Sequence, residues 1–450
     1  MRVPRIMVAG TSSGSGKTTA TCALLSLLKR RGMMVKACKC GPDYIDPMFH
    51  KSVSGIPCTN LDPFFCDGNL LKYLLSDGFD SQITVIEGVM GYYDGTSQEG
   101  PDNSTFTVAD QTDTPVILIV DAKGSAASLL AVIEGFLHFV PESHIRGVLF
   151  NRMTPMNYKA VKALMHDRFG DSVVPAGFIP VLPEECHIGS RHLGLVTAAE
   201  ISDLAERLEK TADLCEPNID IDVILKLAES ATDLEFTIPN LPKLASIKLA
   251  VACDNAFCFY YDSTLKLFEK MGAELCFFSP LADEPVPADS DGLLIGGGYP
   301  ELYADKLEAN THTKESICSS IKAGMPAIAE CGGFQYLGKE LEGRKMCGLL
   351  NHLSSKTEHL VRFGYITLTS NKEGLLGPAG TVLRGHEFHY WDSTDNGDAF
   401  TARKPNGKEW KCAVMTDTLY AGYPHLFLSA SIVAAEAFYR KCLKYKEGRG

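Results

Sequence analysis

The first half of the chain alternates short apolar segments with longer amphipathic ones. The apolar segments predict strands, and the amphipathic segments between them predict helices. The predicted strands are Arg5–Ala9, Met34–Cys38, Thr84–Glu87, Val116–Asp121 and Ile145–Asn151. The predicted helices are Thr18–Arg31, Ala126–Phe139, Ile201–Glu209 and Asp222–Ser230. This alternation is typical of βαβ units built around a parallel sheet.

The alternation of predicted strands and helices is interrupted from residue 231 and resumes at residue 247. The intervening segment carries Pro239 and Pro242 with little periodicity, so we interpret residues 236–246 as a linker. The strands predicted after it are Ile247–Cys253, Glu274–Phe278, Gly292–Ile295 and Pro326–Glu330. The helices predicted after it are Ser263–Met271, Phe334–Leu341 and Ala430–Tyr445. We therefore predict two α/β domains in series, residues 1–235 and 247–450.

Net charge and amino-acid composition argue against several kinds of binding partner and cellular location. The 450 residues include 43 Lys and Arg against 55 Asp and Glu, a net charge of −12 at pH 7. Binding to a phosphate backbone or an anionic membrane favours net basic charge, so neither nucleic acid nor membrane is an expected partner. No stretch is apolar enough for a transmembrane helix, and the N-terminus does not resemble a secretory signal. The 15 cysteines are scattered along the chain, so we expect reduced thiols and a cytoplasmic location.

A glycine-rich loop follows the first predicted strand and leads into a predicted helix. Its backbone amides can cradle phosphates, its lysine can reach the β- and γ-phosphates, and its first threonine hydroxyl can bind Mg²⁺. Five residues, rather than the usual four, separate Gly10 from Gly16. Asn151 ends the fifth strand, where a side-chain amide can read an adenine edge. The predicted nucleotide-binding residues are Gly14, Ser15, Gly16, Lys17, Thr18, Thr19 and Asn151.

Acidic residues follow two neighbouring predicted strands. Asp43 and Asp46 come after the second strand, Glu87 ends the third, and Asp94 lies in the loop that follows. Since the carboxyl ends of parallel strands share one edge of a sheet, these acids should lie close to Lys17. Mg²⁺ prefers carboxylate oxygens together with nucleotide phosphates. For each Asp taken alone, the cap of a turn remains an alternative role.

A second candidate site lies in the C-terminal half. Cys331 stands between a predicted strand and a predicted helix, a sharp turn that would hold a nucleophile exposed. The loop containing Gly297 and Gly298 follows another strand and offers backbone amides to an oxyanion. His425 precedes the last predicted helix and is the candidate base. The alternative is a structural cysteine with an unrelated histidine.

Six segments together resemble one family of enzymes. They are KCGPDYIDPMFH (39–50), EGVMGYYDG (87–95), RHLGL (191–195), GGGYPELYA (296–304), AECGGFQYLG (329–338) and GHEFHYW (385–391). In this order, and over nearly the whole chain, they resemble the cobyrinic acid a,c-diamide synthases. The N-terminal half is also similar to the P-loop enzyme dethiobiotin synthetase. The C-terminal half is similar to class I glutamine amidotransferases, which implies a flavodoxin-like fold.

The resemblance implies a carbon–nitrogen ligase with two sites. At one, Cys331 would form a thioester with L-glutamine and release ammonia while His425 relays protons. At the other, ATP with Mg²⁺ would phosphorylate the c and a acetate carboxylates of a corrinoid, and ammonia would displace phosphate from each acyl phosphate. The implied metal-binding residues are Thr18, Asp46 and Glu87, with Asp43 and Asp94 at the same synthetase site and Asn151 at the adenine.

Two alternatives for the function stay open. Hydrogenobyrinic acid or nickel sirohydrochlorin would suit the same chemistry, and no motif distinguishes these macrocycles from cobyrinic acid. A P-loop ATPase switch with a non-catalytic amidotransferase-like module is an alternative from another class, disfavoured because Cys331 and His425 are both present.

Three structural questions also stay open. Class I amidotransferases usually have Glu two residues after the catalytic His, but this chain has Phe427 there, so the third member of the site is not identified. The histidines of RHLGL and GHEFHYW (His192, His386 and His389) have no assigned role. Amidotransferase folds often form homo-oligomers, but no patch in the sequence specifies one.

Overall fold

The chain divides between Pro239 and Asn240 into two units, Met1–Pro239 and Asn240–Gly450. The computed structural model describes residues 1–449 except 52–54, 79–80, 97–99, 187–189, 192–193 and 196–203. Residues 231–246 contain neither helix nor strand. Within the first unit, the N–H of Thr237 donates to Oδ1 of Asn69 (2.6 Å). Within the second, the hydroxyl of Tyr439 donates to the carbonyl oxygen of Ala245 (3.0 Å), so both ends of this segment are anchored.

The first unit is an α/β fold. Its strands are β1 (Arg5–Gly10), β2 (Val35–Cys40), β3 (Cys58–Leu61), β4 (Ile83–Glu87), β5 (Val116–Asp121), β6 (Ile145–Asn151), β7 (Val174–Ile179), β8 (Ser190–Arg191) and β9 (Gly194–Leu195). Its helices are α1 (Lys17–Arg30), α2 (Ile45–Phe49), α3 (Gly68–Ser76), α4 (Thr105–Thr112), α5 (Ser128–His138), α6 (Pro155–Phe169), α7 (Leu204–Cys215) and α8 (Ile221–Glu229).

Seven strands of this unit form one parallel sheet in the order β3-β2-β4-β1-β5-β6-β7. The five strands predicted from the sequence are all present, because buried parallel strands read as continuous apolar runs. The helix predicted at Ile201–Glu209 is found as α7, although residues 201–203 lie outside the described residues. The order places the carboxyl ends of β1, β2 and β4 side by side, and so positions the loops that carry the candidate nucleotide site.

The second unit combines an α/β core with an antiparallel sheet and a small mixed sheet. Its strands are β10 (Ile247–Ala252), β11 (Ala273–Phe278), β12 (Gly292–Ile295), β13 (Ala327–Glu330), β14 (Glu340–Leu341), β15 (Arg344–Lys345), β16 (Leu353–Lys356), β17 (Arg362–Ser370), β18 (Val382–His389), β19 (Trp391–Ser393), β20 (Phe400–Arg403), β21 (Glu409–Cys412), β22 (Val414–Met415), β23 (Leu419–Gly422) and β24 (His425–Leu426). Its helices are α9 (Asp262–Met271), α10 (Ala304–Ala309), α11 (Thr311–Lys322), α12 (Gly332–Leu337) and α13 (Ile432–Arg449).

The core sheet of this unit has the order β11-β10-β12-β13-β23-β22. Its first five strands are parallel and only β22 runs antiparallel, which is the strand order of flavodoxin-like folds. The predicted fold class is therefore confirmed for both halves of the chain. Cys331 follows β13 in the middle of this sheet, and the loop that contains Gly297 follows the adjacent β12.

The sequence pattern missed the two smaller sheets of the second unit, and it also missed strands β3, β7 and β23 of the two larger sheets. Five strands form a sheet in the order β21-β20-β17-β18-β24, and four short strands form another in the order β15-β14-β16-β19. The helix predicted at Phe334–Leu341 is wrong at its C-terminal end, since α12 ends at Leu337 and β14 begins at Glu340. Gly338 adopts an extended backbone there, and the N–H of Lys339 donates to the carbonyl oxygen of His352 (2.9 Å), which draws the chain into the sheet.

Among the helices of the described residues, none combines the length and the apolar character needed to cross a membrane.

Candidate active sites

The glycine-rich loop joins β1 to α1 and is braced from the end of β6. Gly16 has a φ of 101°, a conformation that favours glycine, and a Cβ at this position would collide with the Asn151 amide. The Nδ2 of Asn151 donates to the carbonyl oxygen of Ser15 (2.9 Å). Asn151 thus holds the phosphate loop in shape, and its contact with adenine stays a prediction.

Lys17 begins α1 and is largely buried. Its Nζ donates to the carbonyl oxygen of Ser12 (3.0 Å), so the side chain folds back over the loop. Burial and the nearby ammonium of Lys39 lower the pKa of Lys17 to about 8, against the opposing effect of Glu87. Contact between this side chain and nucleotide phosphates stays a prediction.

Glu87, at the end of β4, is the centre of a buried charge cluster. Its Oε1 accepts a hydrogen bond from the hydroxyl of Thr18 (2.6 Å) and lies 3.0 Å from the Nζ of Lys39. Its Oε2 lies 2.9 Å from Nε2 of His50. Lys39 also contacts Oδ2 of Asp46 at 2.5 Å, so one ammonium pairs with two carboxylates. The structure thus brings together the three residues predicted to bind metal.

Each charged group in this cluster affects the pKa of its neighbours. Burial would raise the pKa of Glu87, but the ammonium of Lys39 and the hydrogen bond to His50 hold it well below its usual value. Burial raises the pKa of Asp46, and Lys39 opposes that effect. Lys39 and His50 both lie in the segment KCGPDYIDPMFH, yet neither was predicted as a site residue.

The donor set at this sheet edge fits Mg²⁺. A hydroxyl from Thr18 and carboxylates from Asp46 and Glu87 are hard oxygen ligands of the kind this ion prefers alongside nucleotide phosphates. Over the described part of the chain, no three His, Cys, Asp or Glu side chains are arranged to hold a metal by themselves. Phosphate oxygens and water would complete the coordination.

Asp43 and Asp94, the two other acids predicted at this site, each make a turn-capping bond. Oδ1 of Asp43 accepts from the N–H of Ile45 (2.8 Å), and Oδ2 of Asp94 accepts from the N–H of Gly91 (2.9 Å). Asp94 also lies near enough to Lys17 to oppose, weakly, the lowering of that lysine's pKa. Turn capping therefore accounts for part of their role, and a contact with substrate stays a prediction.

Cys331 occupies a strained turn between β13 and α12. Its φ of 48° and ψ of −101° are unusual for a residue with a side chain. Its N–H donates to the carbonyl oxygen of Gly422 (2.8 Å), which ties the turn to β23. Strain of this kind persists only where the surrounding structure enforces it, as in the strand-to-helix turn expected for a nucleophile.

The glycine loop and His425 converge on this cysteine. A Cβ added to Gly297 would collide with Cε1 of His425 and would lie 3.4 Å from Cβ of Cys331, so the three residues are in close contact. The amide nitrogen of Gly298 lies 3.3 Å from the position that a Cβ on Gly332 would take. The predicted nucleophile, base and oxyanion residues therefore occupy one site, which requires a small residue at position 297.

Glu330 approaches the opposite side of the imidazole. Its Oε2 lies 3.7 Å from Nδ1 of His425, and its Oε1 accepts a hydrogen bond from the N–H of Leu426 (3.0 Å). Burial would lower the pKa of His425, but the sulfur of Cys331 and the carboxylate of Glu330 raise it to about 10. Glu330 lies within the segment AECGGFQYLG, but the sequence assigned it no role.

The histidines of GHEFHYW lie beside the same site. His386 pairs with His425 in the register of β18 and β24, and burial lowers the pKa of His386 to about 3. The ring of His389 stacks on Tyr423 with centroids 3.9 Å apart. The remaining histidine of interest, His192 in RHLGL, lies outside the described residues.

Comparison with known proteins gives the same division of the chain. Residues 6–194 match the family model described as "CobQ/CobB/MinD/ParA nucleotide binding domain". Residues 248–432 match the model described as "CobB/CobQ-like glutamine amidotransferase domain". The first range contains Lys17, Glu87 and the rest of the charge cluster, and the second contains Cys331 and His425.

Individual relatives match over almost their whole length. The chain is 37% identical over 440 residues to the cobyrinate a,c-diamide synthase of Listeria innocua, covering 94% of this chain and 96% of that protein. It is 36% identical over 464 residues to the cobyrinate a,c-diamide synthase of Thermoplasma volcanium, covering 100% of this chain and 99% of that protein. The chain belongs to the cobyrinate a,c-diamide synthase family. The predicted family is thus confirmed, and so is the prediction of an enzyme. Membership of the cobyrinate a,c-diamide synthase family also accounts for a nucleotide-binding domain and an amidotransferase domain on one chain.

Proposed function

We propose that this enzyme converts the c and a acetate carboxylates of cobyrinic acid into carboxamides, with ATP and L-glutamine as co-substrates. The observation that carries the proposal is the match to named cobyrinate a,c-diamide synthases over almost the entire chain. The proposal is also supported by the two clusters described above, one suited to phosphates and one suited to a cysteine nucleophile.

The amidotransferase site would release ammonia from glutamine. The sulfur of Cys331 attacks the side-chain carbonyl carbon, the carbon–nitrogen bond breaks, and a glutamyl thioester forms. His425 takes the thiol proton and passes it to the departing ammonia. The backbone amides of Gly297 and Gly298 are proposed to hold the oxyanion, in support of which Gly297 lies against both reacting side chains. Water then hydrolyses the thioester to glutamate.

The synthetase site would activate the acetate carboxylate. A carboxylate is a poor electrophile, so transfer of the γ-phosphoryl group of ATP to its oxygen supplies a leaving group. Ammonia then attacks the carbonyl carbon and phosphate departs. Lys17 and the loop amides bind and orient the phosphates. When bound, Mg²⁺ would neutralise phosphate charge, held by Thr18, Asp46 and Glu87.

The nature of the macrocycle is the finer part of the proposal. Hydrogenobyrinic acid and nickel sirohydrochlorin carry similar acetate groups, and the names of the relatives favour cobyrinic acid. The test is mass spectrometry after anaerobic incubation with ATP, Mg²⁺ and glutamine, with each macrocycle in a separate tube. Two successive acid-to-amide conversions with cobyrinic acid alone support the proposal. Conversion of another macrocycle alone would replace the substrate, and ATP hydrolysis without any amide would favour an ATPase switch.

A further inference from the structure

The amidotransferase site contains a carboxylate that the reaction described above does not use. Glu330 is the last residue of β13 and directly precedes Cys331, and its side chain is only 12% exposed. One of its oxygens is engaged by the N–H of Leu426, the residue after His425. This bond fixes the carboxylate to the same short strand that carries the imidazole.

The two nitrogens of His425 face different partners. Nδ1 lies 3.7 Å from Oε2 of Glu330. Cε1 and Nε2 lie on the side of the ring that faces Gly297, which also lies close to Cys331. We propose that Glu330 is the positioning residue of this site, which orients His425 through Nδ1 and favours its charged form during proton transfer. The inference rests on the glutaminase reaction proposed for Cys331.

The position that usually supplies this carboxylate in class I amidotransferases is taken by an apolar side chain. Phe427 is 1% exposed, and its ring packs edge-on against Tyr261 with centroids 4.9 Å apart. Phe427 therefore belongs to the buried core of the second unit and takes no part in acid–base chemistry. Glu330, at the end of β13 and directly before Cys331, provides a carboxylate close to the same imidazole.

Another buried carboxylate nearby is Glu387 on β18. It lies 3.9 Å from Nε2 of His389, a histidine whose ring stacks on Tyr423. The residue of β18 that pairs with His425 is His386, whose pKa of about 3 leaves it neutral. Glu387 is therefore the matched control for Glu330: it is a buried glutamate of the same unit that contacts a different histidine.

Several titratable groups surround the imidazole and its carboxylate. They are Glu330, Cys331, His386, Tyr260 and Tyr420. Burial raises the pKa of both tyrosines and lowers that of His386, so these three stay neutral near neutral pH. Removing the charge of Glu330 should therefore lower the pKa of His425, since the carboxylate is one of the two groups that raise it.

The test compares glutamine hydrolysis by the full-length wild type, Glu330→Gln and Glu387→Gln across the neutral and alkaline range. Glu330→Gln keeps an oxygen that can accept from Leu426 but removes the negative charge. We expect its kcat to fall about 10²-fold with KM changed less than about threefold. We also expect the pKa of His425 in the kcat/KM profile to move to lower pH. Glu387→Gln should keep the wild-type profile.

A second variant guards against a loss of folding. Glu330→Asp keeps the charge with a shorter reach, so its profile should stay closer to that of the wild type than the profile of Glu330→Gln. The rate at which iodoacetamide alkylates Cys331, followed by mass spectrometry, reports on the reactivity of the Cys331–His425 pair in the absence of glutamine. An unchanged kcat and pH profile in Glu330→Gln, or an equal shift in Glu387→Gln, would overturn the inference. Absence of glutaminase activity in the wild type would instead overturn the proposed function.

Discussion

The two candidate sites are built in opposite ways on similar parallel sheets. At the edge of the first sheet, Lys39 pairs with Asp46 and Glu87, and the cluster is a set of buried charges that balance one another. At the edge of the second, Cys331 and Gly297 are placed by the backbone, through a strained turn and a close approach. The comparison teaches that a substitution in the first site leaves an unpaired charge, whereas one in the second removes the reacting atom or creates a collision.

The largest effect should follow from removal of Cys331, the proposed nucleophile. Cys331→Ala should lower glutamine-dependent amidation at least about 10³-fold, because the thioester is proposed to form on the sulfur of this residue. Amidation with added ammonia should persist, since the charge cluster of the first unit is untouched. Cys276→Ala is the matched control and should behave as wild type. Equal loss with both nitrogen donors would contradict the separation of the two sites.

Removal of Lys17, the lysine proposed to bind phosphates, should lower amidation to the same extent with either nitrogen donor. Lys17→Ala should lower amidation about 10²- to 10³-fold with glutamine and with ammonia, because the transferring phosphoryl group loses its cation. Glutamate release, measured separately, should be affected much less. Lys159→Ala, on an exposed helix position, is the control. A defect limited to glutamine would mean that Lys17 does not serve the synthetase step.

A third effect, on stability rather than on activity, should follow from loss of the buried ammonium. Lys39→Met leaves Asp46 and Glu87 without their shared cation and should lower the free energy of unfolding by about 3 to 5 kcal/mol. Lys36 is similarly buried on β2 and donates to the backbone carbonyl oxygens of Leu74, Leu75 and Asp77. Lys36→Met should cost about 1 to 3 kcal/mol. Denaturant unfolding measures both, and a Lys39→Met protein as stable as Lys36→Met would contradict the charge-balance account.

The smallest effect should come from the brace of the phosphate loop. Asn151→Ala removes the hydrogen bond to the carbonyl oxygen of Ser15 and should weaken ATP binding about fivefold, which corresponds to about 1 kcal/mol. Isothermal titration calorimetry with ATP and with GTP separates the loss of the loop's support from a loss of adenine recognition. An equal loss for both nucleotides is expected from a brace alone, whereas a loss confined to ATP would show that Asn151 reads the base.

Sequence reasoning identified the residues whose chemistry is local. Lys17 and Cys331 stand in short stretches where strand, turn and helix follow one another, and such stretches are readable without tertiary structure. Lys39, His50 and Glu330 were missed because their partners depend on which strand ends lie side by side and on where each side chain points. Each nevertheless lies inside a segment that carried the family resemblance.

The antiparallel strands were missed for a different physical reason. In β18 the inward positions are Leu383, Gly385, Glu387 and His389, so polar and small residues occupy places where an apolar alternation is expected. Strand prediction from hydrophobic period fails when a buried face carries polar groups. Parallel strands such as β5 were found because burial on both faces makes their sequences largely apolar. The parallel strands β3, β7 and β23 were not predicted.

The most direct test of the central claim follows the nitrogen from glutamine to the corrinoid. Wild-type enzyme is incubated with cobyrinic acid, ATP, Mg²⁺ and glutamine labelled with ¹⁵N at the side-chain amide, in unlabelled ammonium buffer, and the product is weighed by mass spectrometry. The account predicts a diamide that carries ¹⁵N in both new amide groups, and an unlabelled diamide from Cys331→Ala. Unlabelled product from the wild type, or no diamide from either protein, would contradict it.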